Sequence, residues 1–160
     1  MTDSAPVPVQ VGHVLGPSRV HHVALVVRSI DGSLGLWRDE LGLRHETTTD
    51  IPSDGVRIAF LAIGESKVEL VEPTDPDTGV ARFLASRGEG FHHVCLEVAD
   101  LAGELDRLAA AGLELIDRAP RRGAEGPVAF IHPRTAGGVL LELIEAPGGP
   151  AWTLLGFEPG

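Results

Sequence analysis

The sequence predicts an α+β fold made of two tandem β-α-β-β-β modules, and three observations carry that prediction. First, "VHHVALVVRSIDGSLGLWRDELGL" from Val20 and "FHHVCLEVADLAGELDRLAAAGLEL" from Phe91 open alike. Each reads as a strand with paired histidines, a short turn, an amphipathic helix and a Gly-Leu exit. Second, "VRIAFLAIGESKVELVEP" matches "PVAFIHPRTAGGVLLELIEAP", each being two β-rich runs around a turn and hence a hairpin. Third, these features recur in the same order, which chance similarity does not supply.

Taken along the chain, the first strand alternates so that His22, Ala24 and Val26 share one face. His21, Val23, Leu25 and Val27 share the other, the side a helix has to cover. Leu34, Trp37 and Leu41 then fall at helical spacing, and Gly42 closes that helix before an extended run and the first hairpin. "PTDPDTG" is a breaker-rich linker, and "VARFLASRG" a short helix closed by Gly88. In the second copy His93, Cys95 and Glu97 take the face of His22, while His92, Val94, Leu96 and Val98 take the helix side. Leu101, Leu105, Leu108 and Ala109 make the helical stripe. The second hairpin has a longer turn, "HPRTAGG", which His132 and Pro133 shape and to which Gly137 and Gly138 give backbone freedom. The expected organisation is an N-terminal arm (1–18), one domain (19–146) and a C-terminal tail (147–160). The domain holds modules at 19–73 and 91–146 with a linker helix segment at 74–90. In the tail, Trp152, Leu154, Leu155 and Phe157 are suited to dock on the domain or on a neighbouring subunit, and packing on the chain's own core is the expectation.

Bulk properties narrow the partners. The 160 residues suffice for one good core. A net charge of −10 and a pI near 5.0 argue against nucleic acid and anionic membrane surfaces, which need a clustered positive face. No apolar run reaches the ~18 residues of a membrane span. The opening segment has an acid at Asp3 and scattered prolines, unlike a signal or transit peptide. One cysteine, Cys95, excludes an internal disulfide and fits a reducing, cytoplasmic setting.

The duplication also nominates a site. His22 and His93 hold equivalent places on the first strands, and Glu69 and Glu142 on the last. A pseudo-twofold between modules brings all four to one point, and two imidazoles with two carboxylates suit a divalent transition metal. Small neighbours such as Ala24 and Cys95 leave room for a substrate.

On the motifs "VHHVAL", "KVELVEP", "GEGFHHVCLEV" and above all "FIHPRTAGGVLLEL", the chain from about Val20 to Ala146 resembles the vicinal oxygen chelate superfamily. Within it, the methylmalonyl-CoA epimerases are most similar. The resemblance implies a glyoxalase-like open cup of mixed sheet around one divalent ion, Co²⁺ first and Ni²⁺, Mn²⁺ or Zn²⁺ as alternatives. It implies His22, His93 and Glu142 as ligands with Glu69 as the fourth, an acyl-CoA substrate, a cytoplasmic homodimer, and epimerisation by proton abstraction at C2. Glu142 and Glu69 are the expected catalytic bases. Some epimerases of the family carry a catalytic glutamate where this chain has Ile58, and a glutamine where it has Glu69. The expectation is therefore that Glu69 takes over acid–base work on that face. Arg121, Arg122 and Arg134 are the candidates for the CoA phosphates. Rival readings are a glyoxalase I-type lactoylglutathione lyase, a metal-free small-molecule binding protein of the same fold and, with less support, an extradiol dioxygenase.

Overall fold

The structure, a computed structural model, describes residues 16–157. Most of the expected N-terminal arm and the last residues of the tail lie outside that range. The first module is β1 (Arg19–Val26), α1 (Ile30–Leu34), β2 (Arg44–Ile51), β3 (Val56–Ile63) and β4 (Ser66–Pro73). After α2 (Gly79–Arg87), the second is β5 (Gly90–Val98), α3 (Leu101–Ala110), β6 (Arg121–Arg122), β7 (Pro127–Ile131) and β8 (Leu140–Glu145), followed by α4 (Pro150–Leu154). All eight strands form one curled, mixed sheet in the order β2-β3-β4-β1-β5-β8-β7-β6. The pairs β1–β4 and β5–β8 are parallel, and the modules meet along the antiparallel pair β1–β5.

Each module buries its own helix. Ile30 and Leu34 of α1 pack with Ala59, Leu61, Val68 and Leu70, and Val23 and Leu25 lie against that cluster. Leu101 and Leu105 of α3 pack with Ala129, Ile131 and Leu143 in the same way. Burying side chains such as Leu61 and Leu70 stabilises the fold by about 1.5–3 kcal/mol each. The opposite, concave face is lined by Ala24, Ile58, Phe60 and Val71 in one half and by Cys95, Val128 and Ile144 in the other. Gly42 and Gly112, the equivalent residues after α1 and α3, both adopt left-handed backbone (φ 75° and 85°), which a glycine takes without a Cβ clash.

Two elements depart from the sequence expectation. Beyond Gly35 the first helix widens into a π-helical segment, Gly35–Glu40, in which the Leu41 N–H donates to the Leu36 carbonyl. The wider turn rotates Leu41 off the apolar stripe, leaving it 55% exposed, and Leu43 packs on the core instead. In the second module the second strand is only Arg121–Arg122. Upstream of it the Asp117 carboxylate accepts the Phe130 N–H at 2.8 Å, a bond that a paired edge strand would otherwise make, and Pro120 has no N–H to donate.

Glutamates at the ends of β4 and β8 anchor the helices. The Ile30 N–H at the start of α1 donates to Glu72 Oε2 at 2.7 Å. Glu145, its counterpart, is 1% exposed and accepts from three N–H groups: Leu101 of α3 at 2.9 Å, Ala151 at 2.7 Å and Trp152 at 3.1 Å of α4. The indole N–H of Trp152 donates to the Glu145 carbonyl at 3.1 Å. The tail therefore docks on the chain's own second module through Trp152, while Leu154 points outward at 82% exposure. Glu145→Ala leaves the Leu101 and Ala151 N–H groups unpaired beside a cavity, and the Trp152 N–H with only its 3.2 Å bond to the Gly149 carbonyl. The expected loss is about 3 kcal/mol or more, read as a fall in melting temperature on the order of 10 °C. Glu72→Ala, which frees one donor, is expected to lose about 1 kcal/mol. Equal effects of the two variants would contradict the double-cap reading.

Candidate metal centre and its cavity

The register of the central strands builds the site. Across β1–β5, His22 faces Cys95, Val23 faces Val94 and Ala24 faces His93. The pseudo-twofold passes through the Val23–Val94 pair and exchanges the two histidines. On the outer side of each strand, Ala24 pairs with Glu69 of β4 and Cys95 pairs with Glu142 of β8. Phe60 and Phe130 stand opposite the two glutamates on β3 and β7 and meet the histidine rings edge-on at 5.5 and 5.4 Å.

These four side chains converge. His22 Nε2 lies 3.2 Å from His93 Nε2, 3.4 Å from Glu69 Oε2 and 3.1 Å from Glu142 Oε2. His93 Nε2 lies 3.6 Å from Glu69 Oε2 and 2.9 Å from Glu142 Oε2. Donors held ~2.0–2.2 Å from a common centre are separated by roughly 2.8–3.6 Å at octahedral to tetrahedral angles. The spacing of the two histidines from each other and from each glutamate falls in that range, and His22, Glu69 and His93 form a group that could hold a metal ion. All four residues are buried. Their electrostatics also favour a cation. Burial works against a charged His22, but Cys95, Glu142 and Glu69 outweigh it and push the imidazole up to about 12. Burial likewise opposes ionisation of Glu142, yet His22 and His93 hold its carboxyl well below the usual range. The Cys95 thiol is pushed up to about 12, chiefly by burial, and stays protonated.

His21 and His92 correct the expected facing of the strands. Simple alternation puts them under the helices with Val23 and Val94. Instead a β-bulge falls at each: His21 is the extra residue between the Val20–Leu96 and His22–Cys95 pairs, and His92 between Ala24–His93 and Leu25–Phe91. A bulge sets two residues against one and breaks the alternation locally. His21 Nδ1 consequently sits 2.9 Å from His22 Nδ1, and His92 Nδ1 2.8 Å from His93 Nδ1. Burial, then the neighbouring histidine, lowers each to about 4, so both are neutral at pH 7.

A cavity of about 330 Å³ opens over Glu69, His93 and Glu142. Ile58, Val71, Val80 and Val128 give it apolar walls, with Asp54 and Arg121 among its polar lining. That is the size and lining of a small-molecule site. The three nominated arginines part company. Arg121 stands in the cavity wall, 5.3 Å over the Phe130 ring and 3.6 Å from Asp54. Arg122 turns to the tail, donating to the Leu155 carbonyl and stacking 4.3 Å over Phe157. Arg134 pairs with Glu114 at 3.1 Å and lines a separate groove with Arg82 and Arg87 of α2, which touches the cavity only through His92. Arg82 and Arg87 escaped the sequence reading; their spacing on "VARFLASR" was the available signal.

The family model of the Glyoxalase/Bleomycin resistance protein/Dioxygenase superfamily matches residues 21–130. The chain belongs to this superfamily. It is 37% identical to the uncharacterised protein YqjC of Bacillus subtilis, over 82% of this chain and 94% of that one. It is 35% identical to the ethylmalonyl-CoA/methylmalonyl-CoA epimerase of Cereibacter sphaeroides, over 78% of this chain and 96% of the relative. Among solved structures, a variant of the Streptomyces coelicolor methylmalonyl-CoA epimerase in complex with 2-nitronate-propionyl-CoA superposes with a TM-score of 0.79 at 30% identity. That match covers 84% of this chain and 98% of the other. Among the described residues, no helix of this superfamily member is long and apolar enough to cross a membrane.

Proposed function

We propose that the chain is a metal-dependent epimerase that interconverts (R)- and (S)-methylmalonyl-CoA by moving the proton at C2. The observation that carries this reading is the placement of Glu69 and Glu142: two carboxylates at twofold-related positions, both lining one mostly apolar cavity. The similarity to epimerases of malonyl-type thioesters supports the substrate class. His22, Glu69, His93 and Glu142 would hold a divalent ion, Co²⁺ expected first and Ni²⁺, Mn²⁺ or Zn²⁺ as alternatives, and that ion would supply Lewis-acid chemistry at the thioester oxygen.

Inverting a C–H centre requires a base on one face and an acid on the other. The two glutamates flank the site from β4 and β8, so each serves one face of C2. They are held unequally. Glu142 has contacts of 3.1 and 2.9 Å to the histidines, whereas Glu69 stands farther off at 3.4 and 3.6 Å. Ile58, Val71 and Val128 exclude water, which strengthens each charge interaction inside and protects the carbanionic carbon. Arg121 offers the cavity its cation for the anionic substrate. The same reading takes residues 19–146 as one catalytic domain of a cytoplasmic homodimer.

The test follows the C2 proton. Chelator-treated protein is expected to leave methylmalonyl-CoA unexchanged in deuterated water, and added Co²⁺ to restore both C2 exchange and racemisation. Faster turnover of the ethylmalonyl ester would move the substrate within the class. Efficient turnover of methylglyoxal with glutathione, and none of the CoA esters, would replace the reading with a glyoxalase.

A further inference from the structure

We infer that His21 and His92 are positioning residues, each accepting a hydrogen bond from the Nδ1–H of the ligand histidine beside it and so turning that ligand's Nε2 lone pair toward the centre. The inference rests on the metal reading of the site and goes beyond it, because it gives the doubled histidines a task that the four ligands leave open.

Three observations carry it. The bulges recur at twofold-equivalent positions, His21 and His92, and nowhere else along the β1–β5 pair. Each brings two Nδ1 atoms to 2.9 or 2.8 Å, a distance that requires one proton between them. His22 and His93 turn their Nε2 atoms to each other and to both carboxylates. To offer a lone pair there, each must carry its proton on Nδ1, which makes His21 and His92 the acceptors and places their own protons on Nε2.

A further observation lies behind His21. Glu125 Oε2 is buried and has no hydrogen-bond partner among the described residues, and it stands 3.8 Å from His21 Nε2. The other oxygen of Glu125 accepts from Lys67 Nζ at 2.5 Å, and Lys67 pairs in turn with Glu46 at 3.0 Å. A small rotation closes the gap to the outer N–H of His21. The carboxylate comes from the loop before β7 and the histidine from β1, so the second module steadies the ligand of the first. His92 differs: its ring packs 5.1 Å from Phe83 of α2 and lines the cavity. The two ligands therefore have matched inner partners and unmatched outer ones.

Ligand-orienting partners of this kind are worth about 10–100-fold in metal affinity. The measurement is the Co²⁺ dissociation constant by chelator competition, with the cobalt absorption spectrum and the melting temperature of the metal-free protein as companions. His21→Leu and His92→Leu fill the space without an acceptor and are expected to weaken Co²⁺ about 10–100-fold each. His21→Asn and His92→Asn restore a short acceptor and are expected to recover most of that loss. Glu125→Gln is expected to weaken Co²⁺ several-fold in the wild-type background and not at all alongside His21→Leu. Wild-type affinity in both leucine variants would overturn the inference, as would asparagine variants no better than leucine ones at matched melting temperatures. If a leucine variant fails to fold, the asparagine variant and Glu125→Gln decide: a wild-type spectrum with asparagine supports the inference, and an altered one overturns it. Failure of the wild-type protein to bind any divalent ion is a different result, and it would remove the metal reading itself.

Discussion

Glu69→Gln is expected to slow epimerisation at least ~100-fold, the lower end of what a positioned general base contributes, while leaving a metal-ligating oxygen in place. The amide has no basic lone pair of carboxylate strength, and the side chain opposite on β3, Phe60, has none either. Ile58, one pleat away on the same face, is aliphatic and 4% exposed. Nothing else on that wall can return the proton. The other face keeps Glu142, so one stereoisomer is expected to go on exchanging its C2 proton with deuterated solvent while its conversion to the other stalls. Adding Ile58→Glu to Glu69→Gln is expected to recover part of the epimerisation. The recovery is partial because a carboxyl among Val56, Phe60 and Val71 is costly to ionise. Near-normal turnover by Glu69→Gln alone would make Glu69 a ligand only, and Asp54, across the cavity, would become the candidate for the second base.

His22→Ala and His93→Ala are each expected to take the protein from one divalent ion per chain to essentially none after desalting, measured by elemental analysis, with epimerisation lost in parallel. The reason is charge as much as donor count. Each substitution leaves two buried carboxylates with one imidazole, and Glu142, which accepts close contacts from both histidines, loses one of them. Buried anions without partners take up protons, and a protonated carboxyl is a poor ligand. Cys95→Ala is the control. The thiol touches the same cluster, but burial holds it protonated, so the ion is expected to remain. Loss of the ion in Cys95→Ala, with retention in His93→Ala, would relocate the centre to the His21, His22 and Cys95 group.

Much of the site was legible because a strand's side-chain period of two and an internal duplication constrain each other. His22, His93, Glu69 and Glu142 could be picked as a set since each has a counterpart in register, and the structure brings the four together. The two hairpins, the helix positions and the glycines Gly42 and Gly112 were readable for the same reason: turn chemistry and helical stripes are local. The tail's docking through Trp152 was expected from its apolar residues, although its clamp was not.

What the sequence by itself determined, then, is the pair of modules, their α+β class and the identity of the four converging residues. Tertiary structure alone decided the rest, and each case has one cause. The bulges at His21 and His92 arise from register between strands far apart in sequence, which no local pattern encodes. The π-helical segment turns Leu41 outward through a bond from its N–H to the Leu36 carbonyl, a five-residue step that the helical stripe does not encode. Glu145 became a clamp for two helices because folding brought the starts of α3 and α4 to one carboxylate. Arg122 went to the tail and Arg121 to the cavity although they are neighbours on one short strand, because adjacent strand residues point to opposite faces and only the closed sheet says which face is the cup.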